Sequence, residues 1–279
     1  MGETPASIAE APVSVVIPTY RDGDALRRAL SSIESQTLRP SQIVVVDDAS
    51  SDGNAERVCG TSQLEGIQLI ALDTNVGPGG ARNAGIAASR ERFVAFLDAD
   101  DEWHPEKLER QMTVMLGPGA PSFSCHPKEF GGVPWTKLVA PLKASPIRRL
   151  PLLFLNFTPI STVVIRKDAI KYPFPHSYAG EDYVFVAANV LSGIPAVLLN
   201  QALARAHKPA FGEGGLSGRL HAMQLGEMRA RLFLVKEGLI SRGECAVLLI
   251  WGGLKYIRRL AIVFLRRAAA LFGLSAAKW

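Results

Sequence analysis

Val13-Ser14-Val15-Val16-Ile17-Pro18-Thr19 is a short β-branched run that ends in a proline, and Gln42-Ile43-Val44-Val45-Val46-Asp47-Asp48 is a second apolar run that ends in two aspartates. Between them, Ala25–Ser35 sets Leu26, Ala29, Leu30 and Ile33 at helical spacing. A strand apolar on both faces suits a parallel sheet covered by helices. The same rhythm extends outward. Ile67–Leu72 predicts a third strand, Gly79–Ser89 a helix of small residues, and Phe93–Leu97 a fourth strand. Pro105 predicts the first turn of a helix running through Leu108, Met112 and Met115. Strand and helix in alternation predict an α/β sheet with right-handed crossovers. Polar ligands of such sheets bind beyond the carboxyl ends of the strands.

Composition narrows the classes. The chain has 279 residues, 48% hydrophobic and 20% charged, which supports a buried core and excludes a disordered chain. Its 25 Gly and 18 Pro follow no period, which excludes collagen. Cys59, Cys125 and Cys245 are far apart and odd in number, so a disulfide scaffold or structural zinc site is not expected and a reducing, cytoplasmic compartment is. The first twelve residues contain Glu3 and Glu10 and no apolar run, so no signal peptide is expected. Residues 242–279 hold seven Lys and Arg against Glu244 alone, more than the whole chain's excess of +5. The body is near neutral, and a nucleic-acid partner is not expected.

The residues after each strand form a pattern. Pro18-Thr19-Tyr20-Arg21-Asp22 follows the first strand and Asp47-Asp48-Ala49-Ser50-Ser51-Asp52-Gly53 the second. Asp73 to Asn83 follows the third and Asp98-Ala99-Asp100-Asp101 the fourth. Carboxylates gathered at a sheet edge are costly unless a cation or hydrogen-bond donors meet them, and such a cluster suits Mg²⁺ or Mn²⁺. A dinucleotide-binding turn needs G-x-G-x-x-G after the first strand, where Pro18 and Tyr20 stand instead, and no P-loop segment exists. Gly77-Pro78-Gly79-Gly80 opens a helix and suits either a phosphate contact or a plain turn.

These segments, taken in order, resemble the amino-terminal half of family 2 glycosyltransferases, which have the GT-A fold. The similarity is strong over residues 13–116 and weaker through Pro159–Arg166, Gly180-Glu181-Asp182 and Arg205-Ala206-His207. The resemblance implies a Rossmann-like, mostly parallel sheet flanked by helices, and inverting sugar transfer from a nucleoside diphosphate donor with a divalent metal. Pro18, Thr19 and Tyr20 match positions that pack on the nucleotide base. Asp48 matches the carboxylate that accepts from the pyrimidine or its ribose, and Asn75 and Arg82 match positions near the base and the sugar-phosphate. Asp98-Ala99-Asp100 matches the D-x-D motif, with Asp100 on the metal and Asp98 on ribose or donor-sugar hydroxyls. A solvated turn capping a helix is the alternative for these aspartates.

In the second half, Glu181-Asp182 before the apolar run Val186–Leu191 resembles the family's E-D motif. Asp182 then takes the acceptor hydroxyl's proton and Glu181 binds donor or acceptor hydroxyls; an acidic helix start is the alternative. Arg205-Ala206-His207 with Ser217 resembles the R-x-H…S element, which implies Arg205 on the diphosphate and His207 on the metal. Ala204 stands where the family often has an aromatic residue. Gly212–Gly215 suits a lid. His104, His126, His176 and His221 match no metal spacing, and Phe130 and Trp135 suit either an acceptor sugar or the core.

The tail reads as a basic amphipathic helix. Lys255, Arg258, Arg259, Arg266 and Arg267 crowd one side, and Ile257, Leu260, Ala261, Phe264, Ala268 and Leu271 take another. That pattern suits a membrane surface, or packing on the catalytic domain or a second subunit. The organisation expected is a flexible 1–12, a nucleotide-sugar-binding half at 13–116, an acceptor and catalytic-base half at 117–218, and a helical region at 219–279. The expected activity is sugar transfer, UDP being the family's usual nucleotide, to a saccharide or lipid-linked acceptor at the inner face of a membrane. A sugar nucleotidyltransferase and a non-catalytic carbohydrate-binding protein of the same fold are the alternatives.

Overall fold

The computed structural model describes residues 10–131, 135, 138–155, 158–175, 180–207 and 220–271, the side chains of Leu220 and of residues beyond 259 excepted. Strands β1 (Glu10–Thr19), β2 (Arg39–Asp47), β3 (Ile67–Ala71) and β4 (Phe93–Phe96) alternate with helices α1 (Gly23–Glu34), α2 (Asn54–Thr61) and α3 (Gly77–Ala88). The short helix α2 escaped the sequence reading because only Ala55 and Val58 of its eight residues are buried. β1 also takes in residues 10–12, expected to be a flexible terminus, because Glu10 and Ala11 pair with Arg39 and Pro40. Pro105 lies in the turn before α4 (Lys107–Met115), not in its first turn, and its carbonyl accepts from the Thr37 N–H at 2.9 Å.

The larger sheet has eight strands among the described residues, in the order β3-β2-β1-β4-β9-β6-β10-β8. β1 pairs parallel with both β2 and β4, and β2 with β3. β9 (Val164–Arg166) lies antiparallel between β4 and β6 (Phe123–Cys125). β10 (Ala196–Leu199) runs parallel to β6, and β8 (Ala144–Pro146) closes that edge antiparallel. The chain therefore leaves β1 toward β2 and β3, then returns to β4 on the other side of β1. That reversal is a topological switch point, and it opens a crevice at the carboxyl ends of β1 and β4. A smaller sheet orders β5 (Asp101–Trp103), β11 (Ala204–Ala206) and β7 (Lys128–Phe130).

Both faces of the large sheet are covered. Val13, Val15 and Ile17 of β1 pack in one layer with Leu26, Leu30 and Ile33 of α1 and Leu108 and Met112 of α4. Val16 points the other way, toward Phe96, Phe174 and Phe185 of α6 (Glu181–Leu191). Phe174 and Phe185 stack with centroids 4.0 Å apart, and Phe96 meets both edge-on. The small residues of α3 let it lie close on β1. A Cβ at Gly85 would come within 2.3 Å of Val16 Cγ1. This closeness sets the start of α3, and with it Arg82, against the crevice.

Helices α7 (Leu220–Lys236) and α8 (Arg242–Leu271) form a hairpin that packs back on the body. Leu234, Ile240, Cys245 and Leu248 join Leu153 of α5 (Arg149–Phe154) and Ala187 of α6 in one apolar cluster. Gly180 caps α6 at φ +81, and a Cβ there would stand 3.5 Å from the Gly226 backbone. The first turn of α6 is thus pressed against α7.

Candidate active site

A cavity of about 710 Å³ opens at the switch point. The end of β1 contributes Pro18, Thr19 and Tyr20, and the end of β2 contributes Asp48. Asn75 and Arg82 enter from the start of α3, Asp98 and Asp100 from the turn after β4, and Glu181 and Asp182 from the first turn of α6. Pro18 and Asp182, 164 positions apart in the chain, thus line one cavity.

The loops after β1 and β2 are held to one another. Arg21, Ala49 and Ser51 all take positive φ, which is uncommon outside glycine and collects at binding sites. The Arg21 N–H donates to Ser50 Oγ at 2.9 Å, and the Ser50 N–H to Asp47 Oδ1 at 3.2 Å. Asp48 is buried, and its two carboxylate oxygens accept from the Val76 and Gly77 N–H groups at 2.7 and 2.9 Å. It therefore anchors the start of α3, where an anion is favoured by the helix dipole, and each oxygen keeps a second lone pair. Tyr20 is exposed at the cavity rim, with the Arg21 guanidinium 5.0 Å from its ring centre.

Arg82 joins the two halves of the site. Its Nη2 donates to Asp98 at 2.7 Å and its Nη1 to Glu181 at 3.3 Å, and the guanidinium lies 5.3 Å from the Phe174 ring centre. Burial alone would raise Asp98, yet Arg82 and Lys128 hold its carboxyl below the usual range. Asp98, Asp100 and Asp101 bring carboxylate oxygens within 4.8 Å of one another. Asp101 faces away from the cavity toward Lys128 and the Ser161 hydroxyl, and burial and then the Asp98 charge push it up to about 7. Asp98 and Asp100 remain on the cavity wall. Hard oxygen donors on one turn fit Mg²⁺ or Mn²⁺.

Lys128 was not singled out in the sequence, and Ser161 fell only within the weaker stretch Pro159–Arg166. Ser161 accepts the Asp98 N–H at 3.1 Å, and its carbonyl accepts from the Trp103 indole at 2.8 Å, so it fixes the turn from behind. Neither residue belongs to a motif of charged spacing. Only the pairing of β9 with β4 and of β7 with β11 brings them to the aspartates.

Glu181 and Asp182 sit side by side at the start of α6. Burial and then the Asp182 charge push Glu181 up to about 8, against the pull of Arg82. Burial thus favours the protonated form of Glu181, and Asp182 lines the cavity beside it. The sign of the linkage is definite. Between the ordinary glutamate value of 4.5 and about 8, the folded chain holds a proton that the unfolded chain releases, so stability falls as pH rises through that window. Glu181→Gln removes this titration. Its melting temperature is expected to gain on the native chain between about pH 5 and pH 9, and parallel thermal curves in a fluorimetric scan would contradict it.

The R-x-H element lies elsewhere. Arg205 is buried on β11, stacked 3.7 Å from the Trp135 ring centre and 3.3 Å from Glu129, and it does not line the cavity. Trp135 is engaged by this arginine and by His104, whose ring centre is 5.1 Å away. His207 places Nε2 2.9 Å from Glu102 Oε1 and is not part of the carboxylate cluster. Both residues stand one strand from the Asp98–Asp101 turn, since β11 pairs with β5. Ser217, the Gly212–Gly215 stretch and His176 lie outside the described residues.

The tail also reaches the cavity. Glu227 of α7 accepts Arg231 Nη2 at 2.9 Å and faces Lys255 Nζ and Arg259 Nη1 of α8 at 3.5 Å each. Glu227, Arg231 and Lys255 all line the cavity. Part of the basic side expected to face a membrane is therefore turned inward. A different stripe is exposed, made of Val247, Ile250, Trp251, Leu254 and Ile257.

Residues 14–171 match the family model described as Glycosyl transferase family 2, which covers more than half the chain. The chain belongs to glycosyl transferase family 2. Among curated members it is 42% identical over 117 residues to the succinoglycan biosynthesis protein ExoO of Rhizobium meliloti (strain 1021), covering 42% of this chain and 33% of ExoO. The match thus spans about a third of that relative's length. Among solved structures, S. aureus TarS 1–349 in complex with UDP-GlcNAc superposes with a TM-score of 0.61 at 21% identity, over 85% of this chain and 70% of that one. The mannosyltransferase PcManGT of Pyrobaculum calidifontis, in complex with GDP-Man and Mn²⁺, does so with 0.61 at 16% identity, over 98% and 85%. These similarities establish the GT-A fold of the family 2 chain.

Proposed function

We propose that the chain is an inverting glycosyltransferase of family 2. It moves a sugar from a UDP-linked donor to a hydroxyl of a saccharide or lipid-linked acceptor in polysaccharide or glycolipid synthesis. The observation that carries this reading is that Asp48, Asp100 and Asp182, from three separate stretches, line one cavity at the switch point. A sugar nucleotidyltransferase needs basic, Gly-rich chain after β1, where Pro18–Asp22 stands. The bound sugar nucleotides of TarS and PcManGT support a nucleotide-sugar donor.

Each residue has a task in this reading. Pro18, Thr19 and Tyr20 pack on the base, and Asp48 and Asn75 meet its edge or the ribose. Asp98 and Asp100 would hold the divalent ion, which when bound supplies positive charge against the departing diphosphate. Arg82 orients Asp98 toward the donor and keeps Glu181 in register with it. Asp182 accepts the acceptor hydroxyl's proton as that oxygen bonds to the anomeric carbon. The bond from the anomeric carbon to the diphosphate oxygen breaks on the opposite face, which inverts the configuration. Arg205 and His207 join the donor only if they leave Glu129 and Glu102. Calorimetry with UDP tests the reading. Saturable binding that tightens with Mn²⁺ is expected, and no binding at millimolar UDP would overturn it.

We also place the protein on the cytoplasmic membrane face. No helix among the described residues is long and apolar enough to cross a bilayer. The exposed stripe from Val247 to Ile257, beside exposed Arg258, suits a peripheral contact. Ile250→Glu with Ile257→Glu is expected to cut co-sedimentation with anionic liposomes at least tenfold; equal sedimentation would reject the contact.

A further inference from the structure

The hairpin brings to the cavity a carboxylate that lies outside every motif through which the sequence resembled the family. Glu227 of α7 lines the cavity, and 24% of its side chain is exposed. Glu181 and Asp182 line the same cavity from α6, and the two helices touch beside these acids. A Cβ at Gly180, the residue before Glu181, would stand 3.5 Å from the backbone of Gly226, the residue before Glu227. The close approach of two glycines therefore carries Glu227 to the end of the cavity where Asp182 stands.

Three cations fix this carboxylate. Arg231 Nη2 donates to Oε2 at 2.9 Å, Lys255 Nζ stands 3.5 Å from Oε2, and Arg259 Nη1 stands 3.5 Å from Oε1. A carboxylate offers about four acceptor positions, and N–H···O bonds have lengths of about 2.7–3.2 Å. Among the described residues only the Arg231 contact has that length. Glu227 is thus held in one orientation with acceptor positions left over.

The same cations limit what can use those positions. Three positive groups already outnumber the carboxylate, so a metal ion or an amine is disfavoured there. An uncharged O–H donor is not. Lys255 also lines the cavity, so an acceptor and a donor stand side by side. A sugar hydroxyl both donates and accepts, and two neighbouring hydroxyls can meet both groups at once. Leu153, Phe154, Tyr183 and Met223 line the cavity as well, and such side chains suit the C–H face of a pyranose ring.

We propose that Glu227 is a specificity-determining residue for the acceptor. Its carboxylate accepts from a vicinal hydroxyl pair of an uncharged pyranoside, and Lys255 donates to the same pair. The proposal rests on the transferase reading of the cavity. With the diol held at Glu227, the remaining hydroxyl of the ring is presented to Asp182.

The test uses methyl β-D-glucopyranoside, methyl β-D-galactopyranoside and methyl N-acetyl-β-D-glucosaminide as probes, with the monodeoxy analogues of the one that binds best. Saturation-transfer NMR follows their binding to the full chain in saturating UDP and Mg²⁺, and calorimetry follows UDP. At least one probe is expected to bind saturably, with deoxy analogues at least fivefold weaker, as when a bond to a charged group is lost. Glu227→Gln is expected to weaken the parent at least fivefold and to close the gap to at least one analogue to within twofold, with UDP affinity within twofold of native. A carboxylate that merely ties α7 to α8 would leave every gap as in the native chain, and that result overturns the proposal. So does a parallel loss of UDP affinity, or the binding of none of the probes by a chain that binds UDP. Glu227→Asp keeps a charge for the three cations on a side chain one methylene shorter. If Glu227→Gln fails to fold, the same gap in Glu227→Asp decides. Failure of the native chain to bind UDP sinks the transferase reading instead.

Discussion

Asp182→Asn is expected to bind UDP within about twofold of the native chain and to lose sugar transfer by about 10²–10⁴-fold, the range set by a positioned general base. Asparagine keeps the size and most hydrogen bonds of aspartate but cannot take up a proton. The neighbouring Glu181 does not replace it, because burial, the largest cause of its raised value, persists without the Asp182 charge, and Arg82 stays engaged with it at 3.3 Å. The acceptor hydroxyl then has no base on the face opposite the diphosphate. Calorimetry with UDP beside a turnover assay separates the two effects. Turnover that survives the substitution removes Asp182 from proton transfer and leaves it a structural acid at the start of α6.

Asp100→Ala is the second large effect. It is expected to lower metal-stimulated transfer and UDP-sugar hydrolysis by about 10²–10³-fold, as when one group stabilising transition-state charge is removed. It should also abolish the dependence of UDP affinity on Mn²⁺. Asp98 cannot compensate, because Arg82 and Lys128 already compete for its charge. Unaltered melting with persistent Mn²⁺ dependence would assign the ion to other ligands.

The two predictions draw differently on sequence and structure. Asp100 and Asp182 were each singled out by a short motif, and both line the cavity, Asp100 in the turn between β4 and β5 and Asp182 in the first turn of α6. The raised value of Glu181 was not legible, because its largest cause is burial, in part against Gly79, 102 residues away. Arg205 and His207 matched a motif by spacing, yet strand pairing turned them toward Glu129 and Glu102. Spacing reports which residues share a strand and cannot report which acid lies across from it.

The tail shows the same division. Periodicity found the helix from Arg242 and its mixture of basic and apolar faces. It could not choose which face turns inward, because that depends on Glu227, which meets Lys255, and Arg231, which packs on Gly252, both supplied by α7.

The sequence by itself determined the alternating strands and helices, the acidic strand ends and the family, since apolar periodicity and local motifs are properties of adjacent residues. The tertiary structure alone decided which carboxyls burial raises, which cations face the cavity and where β9 inserts in the sheet. Those outcomes depend on burial and on charges brought together from distant parts of the chain, and no local pattern encodes a distance through space.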